Sequence, residues 1–145
     1  MKRAVRIVVL SRVEEPDGEV RETAQHHEGA WYGDLDRGSL RWTDDGVSST
    51  LRWAPDEWRL VRHGERLEAT QVFRPGPPQP FDFRSAAGVL PFETVCHRLE
   101  VRSRDEGLEL ALDYGLWGGG QHVGDFCLRM TATMMPTAGT ATMDA

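Results

Sequence analysis

Apolar and polar positions alternate with period two along most of the chain, the signature of half-buried β-strands. Val5, Ile7, Val9, Ser11 and Val13 fall on one face, opposite Arg6, Val8, Leu10 and Arg12. Pro16-Asp17-Gly18 supplies turn chemistry, and a second strand from about Glu19 to Trp31 completes a long hairpin. Ser39–Thr43 and Val47–Trp53 are predicted to pair across Asp44-Asp45-Gly46. Further on, Trp58, Leu60 and Arg62 alternate with Arg59, Val61 and His63, and Leu67, Ala69, Gln71 and Phe73 alternate with Glu68, Thr70 and Val72. The segment RPGPPQP (74–80) cannot be a central strand, because proline lacks the ladder donor. At this length it reads as a loop between adjacent strands. Phe81–Ser85, Val89–Arg102 and two strongly patterned final strands complete the set. In the last two, Leu108, Leu110, Leu112, Tyr114 and Leu116 share one face, and Phe126, Leu128, Met130 and Ala132 another.

Roughly nine or ten strands with short turns, and no helical period, predict an all-β fold. Short connections make successive strands antiparallel neighbours, hence a meander. A meander this long must hide its edges, and closure into a single up-and-down barrel does so most completely. A two-sheet sandwich would need longer crossing connections. The expected domain spans 1–134, followed by a loose tail from Met135 to Ala145 that lacks large apolar residues other than methionine.

Composition narrows the function classes. The 145 residues are 39% hydrophobic and 28% charged, with a formal net charge of −6. Such a chain is long enough for its own core and too polar for a helical membrane protein. Its net negative charge argues against a nucleic-acid partner. The N-terminal apolar run is interrupted by Arg6 and Arg12, with no small-residue cleavage site behind it, so no signal peptide is expected. Two cysteines, Cys96 and Cys127, make no disulfide framework and fit a reduced, cytoplasmic protein.

The order and spacing of several pieces carry a family resemblance. Gly29 and Trp31 close the first hairpin, SLRWTDDG runs from Ser39 to Gly46, and RLVRHG from Arg59 to Gly64. VFRPG (Val72–Gly76), FRSAAGVLPFET (Phe83–Thr94) and LELALDYGL (Leu108–Leu116) follow. Together they resemble the YwiB-like family of small bacterial proteins of unknown function, over nearly the whole chain. The resemblance implies a calycin-like, that is lipocalin-like, β-barrel, and it brings no established activity or catalytic residues. Phe83 stands where the family usually has tyrosine, and Ala87 where it has a bulkier residue.

No catalytic or metal constellation emerges from spacing. His26 and His27 are adjacent and point to opposite faces of a strand, while His63, His97 and His122 lie far apart in sequence. Neither cysteine has a partner at zinc-ligand spacing, and Cys96 and His97 face opposite sides. Asp44-Asp45 precedes a glycine between strands and reads as a turn, and Gly118-Gly119-Gly120 as a hairpin loop. No cofactor and no metal are therefore expected, and an enzyme is the least supported class.

Polar residues on otherwise apolar faces are more informative. Arg62 lies with Trp58 and Leu60, Gln71 between Ala69 and Phe73, His97 with Val95 and Leu99, and Tyr114 between Leu112 and Leu116. Should these faces point inward, Arg62, Gln71, His97 and Tyr114 converge on one interior. An inward arginine invites a carboxylate or phosphate, which its planar fork binds bidentately. Trp42, Leu51, Trp53 and Phe126 would then wall an apolar tail. The reading is a non-catalytic binder of a small amphipathic or anionic molecule, with no membrane partner. The alternative is a packed barrel acting as a homodimer or interaction module through Trp31 and Trp117, which lie near strand ends.

Overall fold

The computed structural model describes residues 1–136; the remainder of the expected tail, 137–145, lies outside the described residues. Ten strands follow one another: β1 (Lys2–Glu14), β2 (Val20–Gly33), β3 (Gly38–Asp44), β4 (Val47–Trp53), β5 (Trp58–His63), β6 (Leu67–Phe73), β7 (Gln79–Ser85), β8 (Gly88–Arg104), β9 (Gly107–Gly118) and β10 (Gln121–Met134). Each pairs antiparallel with its neighbours, and β1 pairs with β10 to close the barrel. The Asp44–Val47 connection needs only Asp45 and Gly46, both at positive φ (50° and 79°), the geometry of a tight hairpin that follows the strand twist. This settles Asp44-Asp45 as turn chemistry.

Strand lengths are unequal, and the inequality shapes the molecule. β1, β2, β8, β9 and β10 have 12 to 17 residues, whereas β3 to β7 have six or seven. A tall wall therefore faces a low one. Only Gly29–Gly33 of β2 pair with β3, so the stretch from Val20 to Glu28 rises beyond it. β6 and β7 pair over just three residues, Leu67–Ala69 with Phe83–Ser85. The proline-rich connection, 74–78, and Pro80, which has no N–H to donate, follow where the two strands part.

The core fills one half of the barrel. Val5, Ile7, Leu40, Trp53, Trp58 and Phe73, at the end where β1 starts, are at most 2% exposed. All lie on the inner face, as the registers Gly38↔Trp53, Trp53↔Trp58 and Trp58↔Phe73 require. The tail leaves from this same end, where the Met135 amide donates to the Ala4 carbonyl at 3.0 Å. Trp31, expected as an exposed anchor, is instead buried here at 8% exposure. It faces inward opposite Leu40, and the Arg3 guanidinium lies 3.9 Å above its ring. Its nearness to the strand end in sequence is misleading, because this strand ends at the packed end of the barrel.

Candidate functional site

The opposite end carries the turns after β1, β3, β5, β7 and β9, and there the inner face is wet. Leu90 faces inward opposite Phe83, yet is 53% exposed. Phe83, Phe92, Trp42 and Phe126 on the same inner face are only half-buried. Phe92 stacks on Phe81 at 5.6 Å between ring centroids and meets the edge of Phe83 at 6.5 Å. These rings make an aromatic rim on β7 and β8, the strands that the parting from β6 sets apart. His27, on the projecting part of β2, stacks against Trp42 of the neighbouring strand β3 at 6.1 Å between ring centroids.

Between this mouth and the packed half lies a polar layer. Gln71 Nε2 donates to Thr94 Oγ1 at 3.0 Å, spanning the place where β6 has left β7. Gln71 and Thr94 are 8% and 1% exposed, so each satisfies a group that would otherwise be buried unpaired. Tyr114 sits beside them, stacked on Phe126 at 4.9 Å with planes 3° apart, and edge-on to Phe73. Burial pushes its phenol up to about 12, against the smaller opposite pulls of Gln71 and the Arg62 charge. A neutral hydroxyl and an amide thus face the interior at ordinary pH.

Arg62 stands over this layer on the mouth side, inward between Ser49 and Ala69 and half-buried. Among the described residues no carboxylate forms an ion pair with it. Three of the four expected residues, Arg62, Gln71 and Tyr114, therefore converge inside the barrel. His97 does not. The β8–β9 register shifts between Cys96 and Arg98, so counting by two across this β-bulge fails. Val95 and His97 face outward, while Cys96 and Leu99 face in. Of the expected apolar walls, Trp42 and Phe126 line the mouth, whereas Leu51 and Trp53 belong to the packed half at 2% exposure. Sequence reasoning misses Thr94 and the rim residues Phe81 and Phe92, and marks Phe83 only as a departure from the family's tyrosine. The alternation of Phe92, Thr94 and Cys96 carried the signal for Thr94, and the rim depends on strand ends that alternation does not reveal.

Other concavities offer less. A shallow cleft at the packed end gathers Arg37, Arg52, Arg59 and Arg74 around Glu57. Glu57 already binds Arg59 at 2.9 Å and pairs with Arg74, and its carboxyl is held below the usual range, chiefly by Arg59. A second hollow lies on the outer face of β1, β2 and β10, where Arg129 is engaged by Asp113 at 2.7 Å. Burial pushes both the Cys96 and Cys127 thiols up, away from the thiolate that a nucleophile needs. Neither is disulfide-bonded. No helix among the described residues is long and apolar enough to cross a membrane.

Comparison with known proteins agrees with this architecture. No curated protein matches the chain in sequence. It is similar in structure to the ywiB protein from Bacillus subtilis, whose crystal structure superposes with a TM-score of 0.75 over 92% of this chain and 94% of that one. Identity is 16%, so this likeness speaks for the barrel alone. A family model described as a domain of unknown function, DUF1934, matches residues 7–130. That span contains β2 to β9 and most of β1 and β10, and the chain belongs to this YwiB-like DUF1934 family.

Proposed function

We propose that the protein is a non-catalytic, calycin-like binding barrel of the cytoplasm that holds a small amphipathic anion in its open half. The observation that carries this reading is Arg62, a guanidinium facing inward without a carboxylate partner among the described residues. A partly desolvated arginine gains most from an anion that fits its fork, whether carboxylate, phosphate or sulfonate. The Phe81, Phe83 and Phe92 rim gives an apolar body somewhere to lie, and Leu90 widens that surface. Tyr114 and Gln71 supply neutral groups beneath the head group. Burial pushes the inward Cys96 thiol up, away from the thiolate that a nucleophile needs, which favours binding over turnover.

Native mass spectrometry of freshly purified protein, compared with the denatured sample, tests the reading. The expected result is an additional small mass that disappears on denaturation and is absent from Arg62→Met. Bare wild-type protein, or a mass retained by Arg62→Met, would count against an arginine-centred site. A doubled protein mass would favour the homodimer alternative, for which Trp117, 40% exposed on the outer wall, is the available anchor.

A further inference from the structure

The outer wall carries a second constellation, unrelated to the mouth. Two irregularities flank β9: the bulge at His97 on β8, and a register shift between His122 and Gly124 on β10. Bulges re-aim side chains. Here they bring two histidines that are 25 positions apart in sequence to the same outward patch, over Gly115. Gly115 pairs with Val95 on one side and Asp125 on the other, and having no side chain it leaves a niche. Around the point where its Cβ would be lie Asp125 Oδ1 at 3.2 Å, His97 Nε2 at 3.6 Å and Trp117 Nε1 at 3.7 Å. His122 Nε2 lies 3.1 Å from the same Asp125 oxygen, and its ring packs on Trp117 at 4.8 Å.

From this geometry we infer that His97, His122 and Asp125 bind a divalent transition-metal ion of the zinc class, with Gly115 as the floor of the site. Two imidazoles and one carboxylate are a donor set that suits zinc, cobalt and nickel better than calcium or magnesium. His122 Nε2 and Asp125 Oδ1, now 3.1 Å apart as a hydrogen-bonded pair, need to separate only slightly to reach the roughly 3.4 Å between two ligand atoms that each lie about 2.1 Å from one tetrahedral ion. In the proposed site His97 supplies the third ligand once its exposed side chain turns toward the other two. Its side chain is exposed, and in the structure its nitrogen stands off from the other two. Among the described residues only Glu15, Asp17 and Glu19 already hold three ligand atoms within 4.8 Å of one another, and they are an acidic turn with no imidazole. Trp117 cannot ligate. Its indole packs against the His122 ring at a 35° tilt, and its Nε1 lies 3.7 Å from the same niche.

The test is titration of tag-free protein with cobalt(II), followed by visible absorbance, and with zinc by competition. The expected result is one saturable equivalent, bound at least about tenfold more weakly by His97→Ala and by His122→Ala, since even outer partners of metal ligands carry effects of that size. Asp125→Asn should behave likewise, and the three outer-wall variants should keep the wild-type far-ultraviolet circular dichroism. Absence of saturable binding by the wild type would overturn the inference. So would wild-type affinity in both histidine variants, which would put the ion elsewhere.

Discussion

At one end of the barrel Trp53, Trp58 and Phe73 interlock at 2% exposure or less, while at the other Leu90 faces the same interior at 53%. Both groups obey the same alternation, and both point inward. What separates them is the height of the wall opposite. The packed end joins the ends of all ten strands around large side chains, and a barrel of such size is closed by filling it. At the mouth the short strands β3 to β7 stop while β1 and β2 continue, so inward residues there meet water. The lesson is that inward orientation and burial are separate properties in a barrel with unequal strands. Buried polar residues such as Gln71 and Thr94 satisfy each other, whereas Arg62, which has no ion-pair partner among the described residues, stands beside the wet half, and that is where function has room.

The contrast can be broken most forcefully at the packed end. Trp53→Ala or Phe73→Ala should cost about 3–5 kcal/mol in denaturant unfolding, the range for removing a large buried ring. Equal losses for Phe83→Ala at the rim would erase the distinction between the halves.

A somewhat smaller effect belongs to the layer between them. The Tyr114 phenol ionises near pH 10 in the unfolded chain and near 12 in the fold. Its contribution is therefore complete below pH 10 and lost as the pH rises from 10 to 12, on the order of 3 kcal/mol in all. Stability measured across that window should fall in the wild type, and fall less in Tyr114→Phe.

Arg62→Met keeps the length of the side chain and removes an inward charge. Unfolding free energy should move by no more than about 1 kcal/mol in either direction, because Arg62 has no ion pair among the described residues to lose. A loss of several kcal/mol would make Arg62 a structural residue. Least of all should Leu90→Ser matter to the fold, with an expected change within about 0.5 kcal/mol.

Much of this was legible in the chain. The faces of β4, β5, β6 and β9 follow from alternation alone, and so does the inward placement of Arg62, Gln71 and Tyr114. Two features were not. One extra residue at His97 shifts the β8–β9 register so that Leu99 faces inward while Val95 and His97 face outward, and a local pattern of Val95, His97 and Leu99 holds no trace of it. The position of Trp31 depends on which end of the barrel its strand terminates at, a property of topology. The patch over Gly115 was hidden for the same reason: His97 and His122 are distant in sequence and become neighbours only across β9.

The central claim, that the open half receives an amphipathic anion at Arg62, is tested most directly by calorimetric titration of wild type and Arg62→Met with 1-anilinonaphthalene-8-sulfonate. This probe joins a sulfonate to an aromatic body. A lost charge-assisted contact of about 1.5–3 kcal/mol predicts saturable binding by the wild type and affinity weaker by roughly ten- to a hundredfold in the variant. Equal affinity in the two proteins, or no binding by the wild type, would contradict it.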